Sequence, residues 1–174
     1  LIQVEKMAKD GADIIDIGGL STRPGSALIT LKDELERTKY VVRNIKKQFP
    51  KLLVSIDSFR SEVIHQAADE GVDIVNDISG FQFDPKLLDT VTSYQLAYIL
   101  MHCPDSFEGM HKQNEQSDIF KQLIQYFAEK ISVLKSKNIN DIVIDPGFGF
   151  GKTLEQNFKL LNSLNDLHIL ERPI

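Results

Sequence analysis

At 174 residues, 42% hydrophobic and 26% charged, the chain is long enough for one globular domain with a real core. Its net charge of -5 excludes a general binder of nucleic acid or anionic membranes while leaving room for a local basic pocket, and no apolar run approaches the ~18 residues of a membrane-spanning helix. One cysteine, Cys103, excludes an internal disulfide and, with no basic-then-apolar start, points to a reducing, cytoplasmic setting.

Leu1 to Asp10 places apolar residues at 1, 4 and 8 ahead of Gly11, as at the end of a helix. Residues 13–17 read as a strand. Residues 31–48 carry Leu31, Leu35, Val42 and Ile45 at helical spacing and predict one helix, with Glu34, Glu36, Arg37 and Lys39 on a solvated face. A strand over 52–56 ends at Asp57. Ser58 then caps a helix to Glu70, with Val63, Ile64, Ala67 and Ala68 on one face and Gly71 beyond its end. A strand from 73 ends near Asn76-Asp77-Ile78, and a short helix follows Pro85. Residues 96–101 form a strand, followed by a polar loop from Cys103 to Gln116. A long helix over 118–137 buries Ile119, Leu123, Tyr126, Phe127, Ile131 and Leu134. The last strand is 142–145 and the last helix 154–164.

Strands and helices alternate throughout, and the strands are continuous apolar runs, which argues for an α/β fold with a parallel sheet covered by helices. Five strands make a complete flavodoxin-like sheet or part of an eight-stranded (β/α)8 TIM barrel. Both ends of the chain read as cut from something longer, which favours about five consecutive βα units of an incomplete barrel. Residues 1–174 are then the central part of a single domain.

In both architectures ligands bind at the C-terminal ends of the strands, and this chain repeatedly puts polar residues there. The first strand ends in Asp16-Ile17-Gly18-Gly19 before Ser21-Thr22-Arg23-Pro24-Gly25; the others end at Asp57, at Asn76-Asp77, at Met101-His102 and at Asp145. After Asp145 comes Pro146-Gly147-Phe148-Gly149-Phe150-Gly151-Lys152. Its spacing misses the P-loop by one residue, and the third glycine comes too early for the dinucleotide fingerprint. What remains is either a strand-to-helix turn without a ligand or a glycine loop whose two phenylalanines are platforms for a flat ligand. A carboxylate accepts two parallel hydrogen bonds from an amino-amide edge such as that of guanine or pterin, and Asn76 both donates and accepts. Arg23, in a glycine-flanked loop, suits an anion; alone it reads equally as a solvated charge. His65, His102, His111 and His168 lack metal-ligand spacing, and Cys103 has no evident base.

Gly18 to Gly25, Ser55-Ile56-Asp57-Ser58, Ile74 to Ile78, Leu100-Met101-His102 and Asp145 to Lys152, in this order, resemble the dihydropteroate synthases along essentially the whole chain. The resemblance implies a barrel that joins p-aminobenzoate to 6-hydroxymethyl-7,8-dihydropterin diphosphate in folate biosynthesis, releasing pyrophosphate. It implies that Asp145 and Asn76 hold the pterin edge with Asp57 beside them. Ile78, Met101 and Gly149 would line the pterin slot. Ser21, Thr22 and Arg23 would belong to a mobile loop near the pyrophosphate, and Pro24 and Phe150 would flank the aminobenzoate ring. Asp57, Arg23 and Thr22 are the expected catalytic residues. Mg2+ would arrive through the substrate diphosphate, because the family's Mg2+-contacting asparagine has no counterpart in this chain; nor do the family's seventh and eighth strands. The segment alone is therefore expected to be inactive, and a homodimer is expected only of a longer protein. A pterin-binding methyltransferase passing a methyl group from a tetrahydrofolate to a corrinoid shares the Asp and Asn positions but has no use for Thr22-Arg23. A non-catalytic pterin-binding lobe is the reading from another class.

Overall fold

The computed structural model describes residues 1–103, 106–113 and 118–174. The expected polar loop from Cys103 to Gln116 therefore lies partly outside the described residues. The elements run α1 (Ile2–Lys9), β1 (Ile14–Gly18), α2 (Leu31–Thr38), α3 (Val41–Gln48), β2 (Leu53–Asp57), α4 (Ser61–Asp69), β3 (Ile74–Asp77), α5 (Leu87–Tyr94), β4 (Ala97–Met101), α6 (Ile119–Ser136), β5 (Ile142–Asp145) and α7 (Leu154–Asn162), followed by a 3-10 segment, Leu164–Leu170. All five strands pair in parallel, in the order β1-β2-β3-β4-β5. Neighbours in space are neighbours in sequence, as along the arc of a barrel. A flavodoxin-like sheet would place its first strand between its second and third.

Period-two geometry sorts the strand residues onto two faces. Val54, Ile56, Val75, Tyr98, Leu100, Ile142 and Ile144 share one face and are buried in the main core with the helices. The helices reach that core by single stripes. In α6 the stripe is Ile119, Leu123, Phe127, Ile131 and Leu134, at spacings of three and four. Asp118 starts this helix by accepting from the Lys121 amide at 3.0 Å. The other strand face carries Ile14, Asp16, Gly18, Leu53, Ser55, Asp57, Asn76, Ile99, Met101, Val143 and Asp145. The expected continuous burial of the strands is thus not observed: Ile14 and Leu53 are each more than 40% exposed on this second face.

The single helix expected over 31–48 is broken at Lys39-Tyr40. Tyr40 takes a left-handed φ of 61°. Its amide donates to Glu70 Oε1 at 2.8 Å, so a side chain from behind α4 satisfies the start of α3. Ser58 does not cap α4 either. The Ser61 amide donates at 2.7 Å to Asp84, a residue 23 positions later.

Ser58 is occupied elsewhere, and Glu34 explains why. Placed on a solvated face by helical spacing, Glu34 is fully buried. It accepts from the Ser58 hydroxyl at 2.7 Å and from Arg60 at 2.9 Å. The other arm of Arg60 holds the Ile29 carbonyl at 2.8 Å, and Arg37 holds that of Gly19 at 2.9 Å. Both stems of the β1–α2 loop are thereby pinned by guanidinium groups. Gly19 must be glycine here, since a Cβ would lie 2.9 Å from the Glu34 side chain. On the same packed side of the sheet Asp77 is also fully buried. It shapes the turn after β3 by accepting from the Ser79 and Phe81 amides at 2.7 and 2.6 Å and from the Tyr98 hydroxyl.

Two stability predictions follow for the full-length protein. Arg60→Ala strands the Glu34 carboxylate and lowers the unfolding free energy in urea by about 3–5 kcal/mol, whereas the paired Glu34→Met, Arg60→Met replacement costs less than the single variant. Tyr98→Phe removes one donor from buried Asp77 and costs about 1–3 kcal/mol in the same titration. A loss below 1 kcal/mol for Arg60→Ala would contradict the role given to the buried pair.

Candidate functional site

The chemistry collects at the C-terminal rim of the second strand face. Gly18, Asp57 and Asn76 stand in one row of the register, and Met101 and Asp145 pair one pleat further up. One row below Asp57, Asp16 accepts from the Ser55 hydroxyl. Asp16 also accepts from the Asn76 amide nitrogen at 3.2 Å, an arrangement in which the amide oxygen of Asn76 can accept from a ligand donor. Asp77, the other polar residue expected at this strand end, faces the opposite way, as strand alternation requires.

On this rim Asp57 carries a strong electrostatic signal. Burial raises its pKa to about 7, and the like charges of Asp16, Glu34 and Asp77 add to the effect. A carboxyl group poised between neutral and ionised is suited to stabilising positive charge that develops on a ligand. Asp145 accepts from the Gly147 amide at 2.8 Å, and its carbonyl holds the His102 amide at 3.0 Å, which ties β4 to the glycine loop.

Beside this polar rim sits a second apolar cluster. Phe59, Ile78, Met101, Cys103 and Met110 are buried in it, with Leu20, Phe83, Phe107 and Phe150 packed around them. Phe59 meets Phe83 edge-on at 5.3 Å and Phe107 at 5.7 Å. A flat ligand lying on the rim would meet polar groups on one side and this wall on another.

The glycine loop is folded around a cation. Lys152 is only 4% exposed, and its ammonium donates to the carbonyls of Gly147, Phe150 and His102 at 2.8, 3.1 and 3.3 Å. Burial lowers its pKa to about 8, with Cys103 and Asp145 opposing that shift. Lys152 is thus committed to the backbone, unlike a P-loop lysine reaching a phosphate. Gly147 has a φ of 68°, and a Cβ there would lie 2.2 Å from the His102 carbonyl oxygen. The two phenylalanines part company. Phe150 joins the apolar cluster, while Phe148 borders an open hollow with Gly149 and with Leu154, Phe158 and Leu161 of α7. The Gly149 amide donates to Asn157 at 2.8 Å.

Ser21, Thr22, Arg23 and Pro24 occupy the β1–α2 loop. The Ser21 and Ser26 hydroxyls lie 2.9 Å apart, and the Ser26 amide closes a turn onto the Arg23 carbonyl at 3.0 Å. Arg23 and Pro24 are exposed. His111 reaches the Thr22 carbonyl with Nε2 at 2.8 Å, and its ring stacks on Phe150 at 5.3 Å. Of the expected site residues, Asp57, Asn76, Met101 and Asp145 share one strand face; Ile78, Met101 and Phe150 share one cluster; Gly149 turns toward α7. Asp16, Glu34, His111 and Lys152 were not among them. A strand-end carboxylate pointed to Asp16, but nothing in the local sequence marks His111 as a bridge.

The folic acid synthesis protein fol1 of Pneumocystis carinii is 42% identical over 170 residues, which cover 96% of this chain and 23% of that protein. The dihydropteroate synthase of Synechocystis is 38% identical over 174 residues, covering 99% of this chain and 60% of its own length. The chain therefore spans less than two thirds of these relatives. Among solved structures, Xanthomonas albilineans dihydropteroate synthase with 4-aminobenzoic acid superposes with a TM-score of 0.89 at 33% identity, over 99% of this chain and 61% of that one. The fold is that of about five βα units of a TIM barrel, as in such neighbours. The model of the pterin binding enzyme family matches residues 1–174, the whole of the chain, and the chain belongs to that family.

Proposed function

We propose that the full-length protein carrying these residues is a dihydropteroate synthase, joining p-aminobenzoate to 6-hydroxymethyl-7,8-dihydropterin diphosphate. One observation carries the reading. A rim of Asp57, Asn76 and Asp145 on a single strand face adjoins an arginine-bearing loop that is tied, through His111, to an aromatic platform. A heterocycle with an amino-amide edge satisfies the rim, and a diphosphate satisfies Arg23. The reading also agrees with the naming of the relatives and with the 4-aminobenzoic acid bound to the Xanthomonas protein.

In this reading Asn76 and Asp145 hold the pterin edge, and Ile78, Met101 and Gly149 line its slot. Thr22 and Arg23, with Ser21 beside them, bind the diphosphate. Loss of pyrophosphate breaks the bond from the exocyclic methylene to oxygen and leaves positive charge spread over the pterin. Ionised Asp57 stabilises that charge. The aniline nitrogen of p-aminobenzoate, its ring held between Pro24 and Phe150, forms the new carbon–nitrogen bond and releases a proton. No covalent enzyme intermediate is required. Among the described residues no group of three or more His, Cys, Asp or Glu could hold a metal ion. Mg2+ would instead arrive with the substrate diphosphate, where it would help to neutralise the charge of the leaving group.

Two variants of the full-length protein separate binding from turnover. Asp145→Asn sets an amide NH2 against the pterin's own donors and weakens pterin binding by about 2–4 kcal/mol in calorimetry. Arg23→Ala leaves binding of an unphosphorylated pterin nearly unchanged and lowers turnover with p-aminobenzoate. Equal loss of pterin binding in both variants would contradict the division into slot and anion loop.

Asp57 also predicts a pH-dependent stability. Folded Asp57 keeps its proton up to about pH 7, while the unfolded chain releases it near 3.8. The native state therefore binds more protons in that window, and stability falls as pH rises through it. Asp57→Asn removes this penalty. It stabilises the protein by on the order of 2–4 kcal/mol at pH 8, changes little at pH 4, and abolishes synthase activity. Equal urea midpoints for variant and parent at pH 8 would refute the shift.

A further inference from the structure

We propose that His111 is a positioning residue that sets the amine half of the site by tying the β1–α2 loop to the Phe150 platform. The inference rests on the synthase reading for its consequence in catalysis, but the tie itself is a matter of geometry. The stems of the β1–α2 loop are pinned by Arg37 and Arg60, at Gly19 and Ile29. Ser21 to Ser26 lie between those pins, and the turn there is closed by bonds within the loop. His111 contacts it from outside. Its Nε2 lies 2.8 Å from the Thr22 carbonyl, and its ring lies 5.3 Å from that of Phe150, with the planes 28° apart.

A carbonyl oxygen only accepts, so Nε2 of His111 carries a hydrogen and donates it. That nitrogen is occupied and is not the base for the incoming amine. The ring is also firmly aimed. His111 lies within a run of tight turns in which the Gly109 amide bonds to the Ser106 carbonyl and the Lys112 amide to that of Gly109, at 3.1 and 2.8 Å. Met110, its neighbour, is 2% exposed in the apolar cluster, and Phe107 packs on Phe59. Two anchored side chains thus hold the segment, and the histidine projects from it to join the backbone of one loop to a ring of another. Thr22 precedes Arg23 and Pro24, so the tie fixes the distance between the Pro24 side and the Phe150 side of the proposed aminobenzoate slot. Neither Asn76 nor Asp145 is in that chain of contacts.

Two substitutions in the full-length protein divide the contacts. His111→Phe keeps a ring on Phe150 and loses the donor; His111→Gln keeps an N–H donor and loses the ring. Hydrogen exchange followed by mass spectrometry reads the tie without any need for activity. In His111→Phe, amides of residues 20–28 exchange about threefold to tenfold faster, as expected for one lost hydrogen bond, while those of β3 and β5 do not change. In His111→Gln the acceleration at 20–28 is smaller. Steady-state kinetics then read the consequence: for His111→Phe the KM for p-aminobenzoate rises about threefold to tenfold with pterin affinity unchanged. Unaltered exchange at 20–28 in His111→Phe overturns the tie. Faster exchange with an unchanged aminobenzoate KM, or with pterin affinity lost in parallel, overturns the positioning role. If the parent protein forms no dihydropteroate, the synthase reading fails on its own, and the exchange data still decide whether His111 joins the two loops.

Discussion

A β-strand can press only every second side chain against the layer of helices, and the rest of this structure depends on that alternation. The residues at alternate positions, such as Val75, Tyr98 and Ile144, supply a dry core. Their neighbours are freed from packing and can be polar at no cost to that core. Asp57, Asn76 and Asp145 are those neighbours at the C-terminal ends of β2, β3 and β5. A one-residue slip in register would exchange the two sets, burying the rim carboxylates and exposing the core.

The rim concentrates negative charge. Asp16 and Asp57 share one face, and buried Glu34 and Asp77 lie close enough to raise the Asp57 pKa. Such a cluster opposes folding, and the opposing stabilisation lies outside the rim, in the long stripes of α6 and in the Arg60–Glu34–Ser58 contacts. The same contacts hold the stems of the arginine-bearing loop. Stability and the placement of the loop are therefore carried by one set of side chains.

The strands and most of the helices were legible in periodicity, because periodicity is a property of near neighbours; the order of the strands was not, since the same alternation suits a flavodoxin-like sheet. The strand-end residues were legible for the same reason: a carboxylate after an apolar run marks a strand's end wherever the strand lies. What escaped depends on partners distant in sequence. Glu34 sits on an apparently charged helix face, and its burial is made tolerable by Ser58 and Arg60, 24 and 26 residues on. The break at Tyr40 depends on Glu70, and the start of α4 on Asp84. His111 meets Thr22 across 89 residues. Phe148 and Phe150 look equivalent between their glycines, yet the left-handed turns at Gly147 and Gly149 send one ring to α7 and the other to the apolar cluster.

The cradle around Lys152 has a consequence for the conditions under which the loop keeps its shape. One ammonium group supplies three donors to three carbonyls drawn from the end of β4 and from the glycine loop. With its pKa lowered by burial to about 8, the group begins to lose a proton in mildly alkaline solution. The neutral amine has two N–H bonds for the same three oxygens. The loop bearing Phe150 then has one more acceptor than donor, so the hydrogen bonds that hold it weaken at a pH far closer to neutrality than a lysine would ordinarily imply.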